Sequence, residues 1–562
     1  MIESWILAFC ILGVNFLLAG MIMHSSLKNR EEFLRRRKES WGQASNVVYS
    51  KDQIENLSVY GKYKSVKESF YIDEITWKDL DMDRVFLRMN QTVSAPGEEY
   101  FLYLLRTPKL REEDLQKREK LMRFFAQDEE KRLALQLILA QIPKSGAASI
   151  GKKLQALNEA KPIRETKHWA LCAAAVFALI FMLFQPVYGF FLFLAVACVN
   201  IADYYGAGDR KQVEVHLSCF QSVKRMLGAA KRIKRLEWEE IEECCAPMGQ
   251  AQENLRAFQK GSYWVSGKDS VSGGVEAVLA DLIRMIFHVD LIRYNKMLGE
   301  IHGHRDDAEC LLDNLGELDC AMAAASFREA LPVWCRPSFQ NEMRMQVSGL
   351  YHPLVKEPVS NSFSLQRGML LTGSNASGKS TFLRNVAING ILAQTIATCT
   401  ALSYQAPMSR ILTSMALSDN LERGESYFMV EIRSLKRILD AADQEGPLLC
   451  MVDEVLRGTN TIERIAASSR ILTSLRKEKV FCFAATHDIE LTYILEDCYE
   501  NYHFGEEVRE RDVRFSYRLK EGRASSRNAI RLLEMLGYQE AVVESARMAA
   551  REFEKTGVWS RV

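Results

Sequence analysis

At 562 residues the chain exceeds what one hydrophobic core organises, so two or three folded units are expected. Lysine plus arginine number 73 and aspartate plus glutamate 72, a formal net charge of +1 that excludes a chain-wide footprint for nucleic acid. Thirteen cysteines, with no CxxC pair and Cys244-Cys245 as the one adjacent couple, exclude a disulfide framework and read as reduced intracellular thiols.

In chain order, the first element is Trp5 to Met23, almost wholly apolar and close to the ~20 residues a spanning helix needs. A cleaved signal peptide begins with positive charge and ends in an A-x-A-like site. Here Glu3 sits in the leader and the run leaves through AGMIMHSS, so residues 1–27 read as an uncleaved transmembrane anchor. Lys28, Arg30, Arg35, Arg36, Arg37 and Lys38 follow, which puts that flank in the cytoplasm. A basic run beside a span meets anionic lipid more readily than DNA. Residues 28–167 read as a cytoplasmic helical segment.

Residues 168–205 carry no charge between His168 and Asp203. Buried core, one span and a hairpin are the three readings. One continuous helix at ~1.5 Å per residue would overrun a ~30 Å hydrocarbon layer. Two helices, Trp169–Phe184 and Val187–Val199, turning at Gln185-Pro186 and Gly189, fit it. Basic residues flank both ends: Lys161, Arg164 and Lys167 before, Arg210 and Lys211 after. A transmembrane hairpin with both feet in the cytoplasm is expected.

Residues 206–330 read as a helical core or lever segment. Phe220, Val223, Leu227, Ala230 and Ile233 fall at three-four spacing, the stripe of plain core packing. His302 and His304 in IHGHRDD have no third ligand nearby, so they read as a solvated turn and no zinc is expected.

The chemistry is concentrated further on. RGMLLTGSNASGKSTFLRN supplies Gly373, Gly378, Lys379 and Ser380 in the G-x-x-x-x-G-K-[ST] spacing, after an apolar strand at Met369–Leu371 and before a helix. Backbone N–H groups of Gly373, Ser374, Asn375, Ala376, Ser377 and Gly378 would close around phosphate oxygens, with Thr381 in the helix behind them. Lys379 would reach the β and γ phosphates of ATP, and the Ser380 hydroxyl would hold Mg²⁺. A second apolar strand, Leu448–Val452, ends in Asp453-Glu454. There the first acid would ligate Mg²⁺ and the second would orient or deprotonate the attacking water. A third, residues 480–486, ends in His487, placed to sense the γ phosphate. Strands alternating with helices predict an α/β sheet carrying its ligand at the carboxyl ends. Intracellular nucleotide also fixes parity, because a single crossing at 168–205 would put this half outside the cell.

Together these residues resemble the ATPase domain of the MutS family, the mismatch-repair ATPases. The likeness is carried by TGSNASGKSTFLR, by DEVLRGTNT (453–461), by ATHDIELT (485–492) and by RGESYFMVEI (423–432). YHPLV (351–355) is similar to the approach to that domain, and residues 517–538 to its closing strand and dimerisation helices. The resemblance implies an α/β P-loop NTPase domain of the MutS/ABC-like class over 331–550, a short tail at 551–562, and an all-α core before it. It further implies a nucleotide contact from Asn375, a homodimer in which Ser426 reaches the other subunit's nucleotide, and DNA as partner. A weaker echo at residues 80–108 is similar to the start of the family's helical core.

Departures narrow this. The family's mismatch-probing Phe-x-Glu has no counterpart in the right context, and IERIAA follows RGTNT, so Glu463-Arg464 alters a loop near the dimer interface. The expected function is a membrane-tethered, dimeric ATPase that binds DNA as a nucleotide-gated clamp. The alternative is a membrane transport or remodelling ATPase with no DNA substrate. Its serine-glycine-glycine signature, Ser272-Gly273-Gly274, precedes the phosphate loop instead of following it.

Overall fold

The computed structural model describes residues 20–559 apart from 22, 26, 46, 145–148, 158, 207, 263–281, 375–376, 416–426, 457–458, 510–511, 525–529, 531–532 and 535–536. The anchor expected over Trp5–Met23 therefore lies almost wholly outside the described residues, as do Ser272-Gly273-Gly274.

Two compact units emerge, and they are not serial. One gathers Met1–Lys67, Leu87–Leu104 and Lys117–Ala330; the other gathers Glu68–Phe86, Leu105–Gln116 and Leu331–Val562. The expected segment 28–167 is thus divided between them. Single polar anchors explain why. The Asp79 carboxylate accepts from Thr413 Oγ1 at 2.7 Å and from the Met415 N–H at 2.9 Å. Thr76 Oγ1 accepts from the Thr413 N–H at 3.2 Å, and Asp73 pairs with Arg437. The Lys109 N–H donates to the Gln394 carbonyl at 2.8 Å. Buried groups of this kind must be satisfied, so these segments are fixed by hydrogen bonding as well as by apolar contact.

The first unit is helical. Its centre is the helix Arg305–Glu329, which buries Leu311, Leu312, Leu315, Leu318, Ala321 and Phe327. Two charges on it are also buried and held. Glu317 takes a two-pronged bond from Arg118, 2.7 Å from Nε and 2.7 Å from Nη2. Asp319 accepts from the Val93 and Ser94 N–H groups at 3.1 and 2.9 Å, at the start of the helix Ala95–Arg106 where a carboxylate suits the dipole. The helix Gly208–Lys234 turns Phe220, Val223, Leu227, Ala230 and Ile233 inward, all essentially inaccessible, as their spacing predicts. His302 lies in the helix Val289–Gly303 with Nε2 2.7 Å from the Leu157 carbonyl, while His304 faces Asp307 at 3.1 Å.

The apolar stretch forms two helices, Glu165–Phe184 and Pro186–Gly206, of 20 and 21 residues. Each is about 30 Å long at ~1.5 Å per residue. Gln185 leaves helical geometry, and Pro186 takes the first position of the next helix, where its missing N–H costs nothing. Gly189 lets the pair close, because a Cβ there would stand 2.2 Å from Met182 Cα. Only 17% and 22% of the residues in their most apolar windows are buried. Phe177, Leu183, Phe184, Tyr188 and Phe191 are each more than half exposed. A soluble core helix hides such side chains; this hairpin presents them.

Among its described residues the second unit holds ten strands in two sheets: β1 (Ser338–Phe339), β2 (Met345–Leu350), β3 (Asn361–Leu365), β4 (Gly368–Thr372), β5 (Ser403–Ala406), β6 (Arg410–Ser414), β7 (Leu448–Asp453), β8 (Val480–Thr486), β9 (Tyr499–Arg509) and β10 (Asp512–Glu521). The smaller sheet runs β1-β5-β2-β3 and the larger β10-β9-β4-β8-β7-β6. In the larger sheet all neighbours are parallel except β9 and β10. Every residue of β4, β6 and β8 is buried, as in a parallel sheet covered on both faces. The register sets Thr372 beside Thr486 and Asp453 beside Ala485, so β4, β7 and β8 end together.

Candidate functional site

At those strand ends the chain leaves β4 through Gly373 and Ser374 and re-enters a helix, Lys379–Ile396. Gly378, at φ +103, precedes it without any side-chain cap, so the helix presents its N-terminus towards the loop. The Lys379 ammonium, on a side chain that is almost fully buried, curls back onto the Gly373 and Ser374 carbonyls, 2.8 Å from each. Ser377 is buried, and its hydroxyl has no hydrogen-bond partner among the described residues. A buried cation, an uncapped helix start and an unused hydroxyl on one loop are the donor set of an anion site. They fit a nucleotide's phosphates.

Opposite the loop, Glu454 follows β7 in a left-handed conformation, φ +57, and its N–H donates to the Ala485 carbonyl at 2.9 Å. That outlying backbone turns the carboxylate to within 2.5 Å of His487 Nε2. The same nitrogen lies 3.5 Å from Lys379 Nζ. Lys379, Glu454 and His487 therefore meet, Lys379 from the helix that follows β4 and the other two from just beyond β7 and β8. Ser374, Gly378, Lys379, Ser380, Thr381 and Glu454 line one pocket of about 530 Å³, a volume suited to a nucleotide-sized ligand. Asp453 closes β7 on the same edge. Asn375, Ala376 and Ser426 lie outside the described residues.

The opposite wall of this pocket is not legible in the sequence. His352, Val355, Glu357, Pro358 and Val359 form it, and Tyr517 lines the pocket beside the loop. Tyr517 comes from β10 and sits over Gly378, where an added Cβ would meet its ring at 3.1 Å. Gly378→Ala thus faces both a left-handed backbone, costing about 1–2 kcal/mol, and that ring. We expect ATP affinity, measured by titration, to fall roughly tenfold or more. Unchanged affinity would mean that nucleotide does not sit on this loop.

Within YHPLV (351–355), His352 carries no signal of its own in the sequence. Its Nδ1 accepts the Leu354 N–H at 3.2 Å, which requires an unprotonated ring. Burial, then Arg384 and Arg84, push its pKa from 6.5 down to about 4. The folded value lies below the unfolded one, so its share of stability is complete above pH 6.5 and is lost as pH falls towards 4. Against His352→Asn, the wild-type unfolding midpoint should drop more steeply through that interval. Parallel curves would contradict it.

Glu463 and Arg464 lie not in a loop but in the first turn of the helix Thr461–Ser474, capped by Asn460. Arg464 grips the Asp488 carboxylate with two bonds, 2.9 and 2.6 Å, fixing the residue next to His487. Glu431 accepts the Leu456 N–H and braces the turn after Glu454. Neither role was legible from spacing.

A parallel strand, a glycine loop, an uncapped helix and an acidic strand end opposite define a nucleotide-binding domain of the phosphate-loop class. Comparison with known proteins agrees: residues 369–554 match the family model described as MutS domain V. The DNA mismatch repair protein MutS of Natronomonas pharaonis is 35% identical over 246 residues, 41% of this chain and 28% of that protein. Its counterpart in Thermus thermophilus is 32% identical over 262 residues, 44% of this chain and 31% of that protein. That of Thermus caldophilus is 32% identical over 249 residues, covering 42% and 30%. The chain thus spans less than a third of the length of these curated relatives.

Proposed function

We propose that this chain is a membrane-tethered, dimeric, MutS-type ATPase that binds DNA as a nucleotide-gated clamp. The observation that carries the reading is the meeting of Lys379, Glu454 and His487 inside the segment similar to MutS domain V. ATP occupies the pocket with its phosphates on the 373–381 loop and its base towards the wall of His352, Val355 and Val359. The Ser380 hydroxyl and the Asp453 carboxylate would hold Mg²⁺, which would supply positive charge against the phosphates. Lys379 leaves the loop carbonyls for the β and γ phosphate oxygens. Glu454 takes the proton of the attacking water, and His487, 2.5 Å away, holds that carboxylate in place. Ser426 of one copy completes the site of the other, so closure of the dimer and hydrolysis are linked.

The exposed hairpin supports anchoring in the cell membrane, with three spans counting Trp5–Met23 and the ATPase in the cytoplasm. Those apolar helices equally favour the second reading, a transport or remodelling ATPase without DNA. Protease mapping on inverted and right-side-out vesicles tests the tether: cleavage of the ATPase unit is expected only in inverted vesicles, and cleavage from outside would refute it. Retention of labelled DNA by ATP-loaded Glu454→Gln protein separates the two readings, since the second predicts none.

A further inference from the structure

The two hairpin helices begin and end at one foot, and three side chains meet there. One nitrogen of His168, one of His288 and one carboxylate oxygen of Asp203 lie within 4.8 Å of one another. Both imidazoles are buried and Asp203 is half-buried. The two Nδ1 atoms are 2.9 Å apart. Two nitrogens bound at ~2.1 Å to one tetrahedral ion would stand about 3.4 Å apart. The pair need part by only about half an ångström to become adjacent ligands of a single metal.

The protonation pattern agrees. His288 Nε2 lies 3.0 Å from the Asn200 carbonyl, an acceptor only, so that nitrogen carries the proton. Nδ1 then presents its lone pair towards His168. A ligating histidine whose far N–H rests on a backbone carbonyl is the ordinary arrangement around a bound metal. Asn200 is held in turn, its amide donating to the Leu171 and Ile286 carbonyls at 3.1 and 2.7 Å. His288 also adopts φ +50, a conformation unusual outside glycine, at the start of the helix Val289–Gly303. Lys167 faces Asp203 at 2.6 Å, but its side chain is about half exposed and can turn into water when a cation competes.

We propose that His168, His288 and Asp203 bind a first-row divalent ion of the Zn²⁺ or Co²⁺ class and so fasten both feet of the hairpin to the helix Val289–Gly303. Two imidazoles and one carboxylate suit such ions, whereas Mg²⁺ and Ca²⁺ want oxygen. The site is independent of the nucleotide pocket, and its fate does not depend on whether ATP is hydrolysed. It escapes a search by spacing because the two histidines are 120 residues apart.

The probe is Co²⁺ alone, titrated without nucleotide into metal-free, detergent-purified full chain. One equivalent per chain is expected, with ligand-field bands and no thiolate charge-transfer band, which the thirteen cysteines would otherwise supply. Asp203→Asn, nearly isosteric, and His288→Gln should each weaken binding at least tenfold, while His302→Gln leaves it unchanged. If His288→Gln does not fold, Asp203→Asn carries the comparison. Absence of a stoichiometric site, a thiolate band, or equal affinity in wild type and Asp203→Asn would overturn the proposal and leave a plain histidine–histidine hydrogen bond.

Discussion

Glu454→Gln is expected to keep ATP bound while lowering its turnover by about 10²–10⁴-fold. The side chain keeps its shape but can no longer take a proton from water. Its backbone N–H to the Ala485 carbonyl does not involve the side chain, so the outlying φ of +57 persists in the variant. The phosphate-binding groups lie on the opposite loop and are untouched. Single-turnover phosphate release alongside ATP titration separates the two effects. Turnover within a few-fold of wild type would remove Glu454 from the chemistry, and loss of ATP binding would make its role one of structure.

Glu317→Ala is expected to destabilise the helical unit by about 3–5 kcal/mol, more than any surface change. Its carboxylate is the two-pronged partner of Arg118, and both are nearly inaccessible. Removing it takes the countercharge and two hydrogen bonds from a guanidinium in a low-dielectric interior. Desolvation opposes ionisation of Glu317, yet the charge and hydrogen bonds of Arg118 hold its carboxyl below the usual carboxylate range. Replacing both partners, Arg118→Met with Glu317→Leu, should recover most of the loss, because an apolar pair needs no partner charge. The unfolding midpoint of the helical unit reports both. A single variant as stable as wild type would contradict this account of the core.

The strands that carry the nucleotide site are legible in the sequence because a covered parallel strand must be apolar throughout. Met369–Leu371, Leu448–Val452 and residues 480–486 stand out for that reason, and Gly373, Gly378 and Lys379 lie at the one spacing a phosphate loop allows. The break at Gln185-Pro186 is equally plain, since proline cannot continue the helix before it. What stays hidden depends on single contacts between distant residues. Glu68–Phe86 joins the second unit through Asp79, Thr76 and Asp73, which leave no periodic trace. Tyr517 reaches the pocket only because β10 folds back along β9. Arg464 reads as a departure in a loop until its two bonds to Asp488 are seen. Ser426, the residue that would join two copies, lies outside the described residues.

The most direct test is phosphate release from ATP by detergent-purified full chain with Mg²⁺, alone and with plain, mismatched and branched DNA across a salt series. The account predicts turnover that Glu454→Gln abolishes and that at least one DNA form alters, with the DNA effect fading as salt rises and phosphate contacts weaken. Turnover equal in wild type and Glu454→Gln, or indifferent to every DNA at low salt, would contradict it.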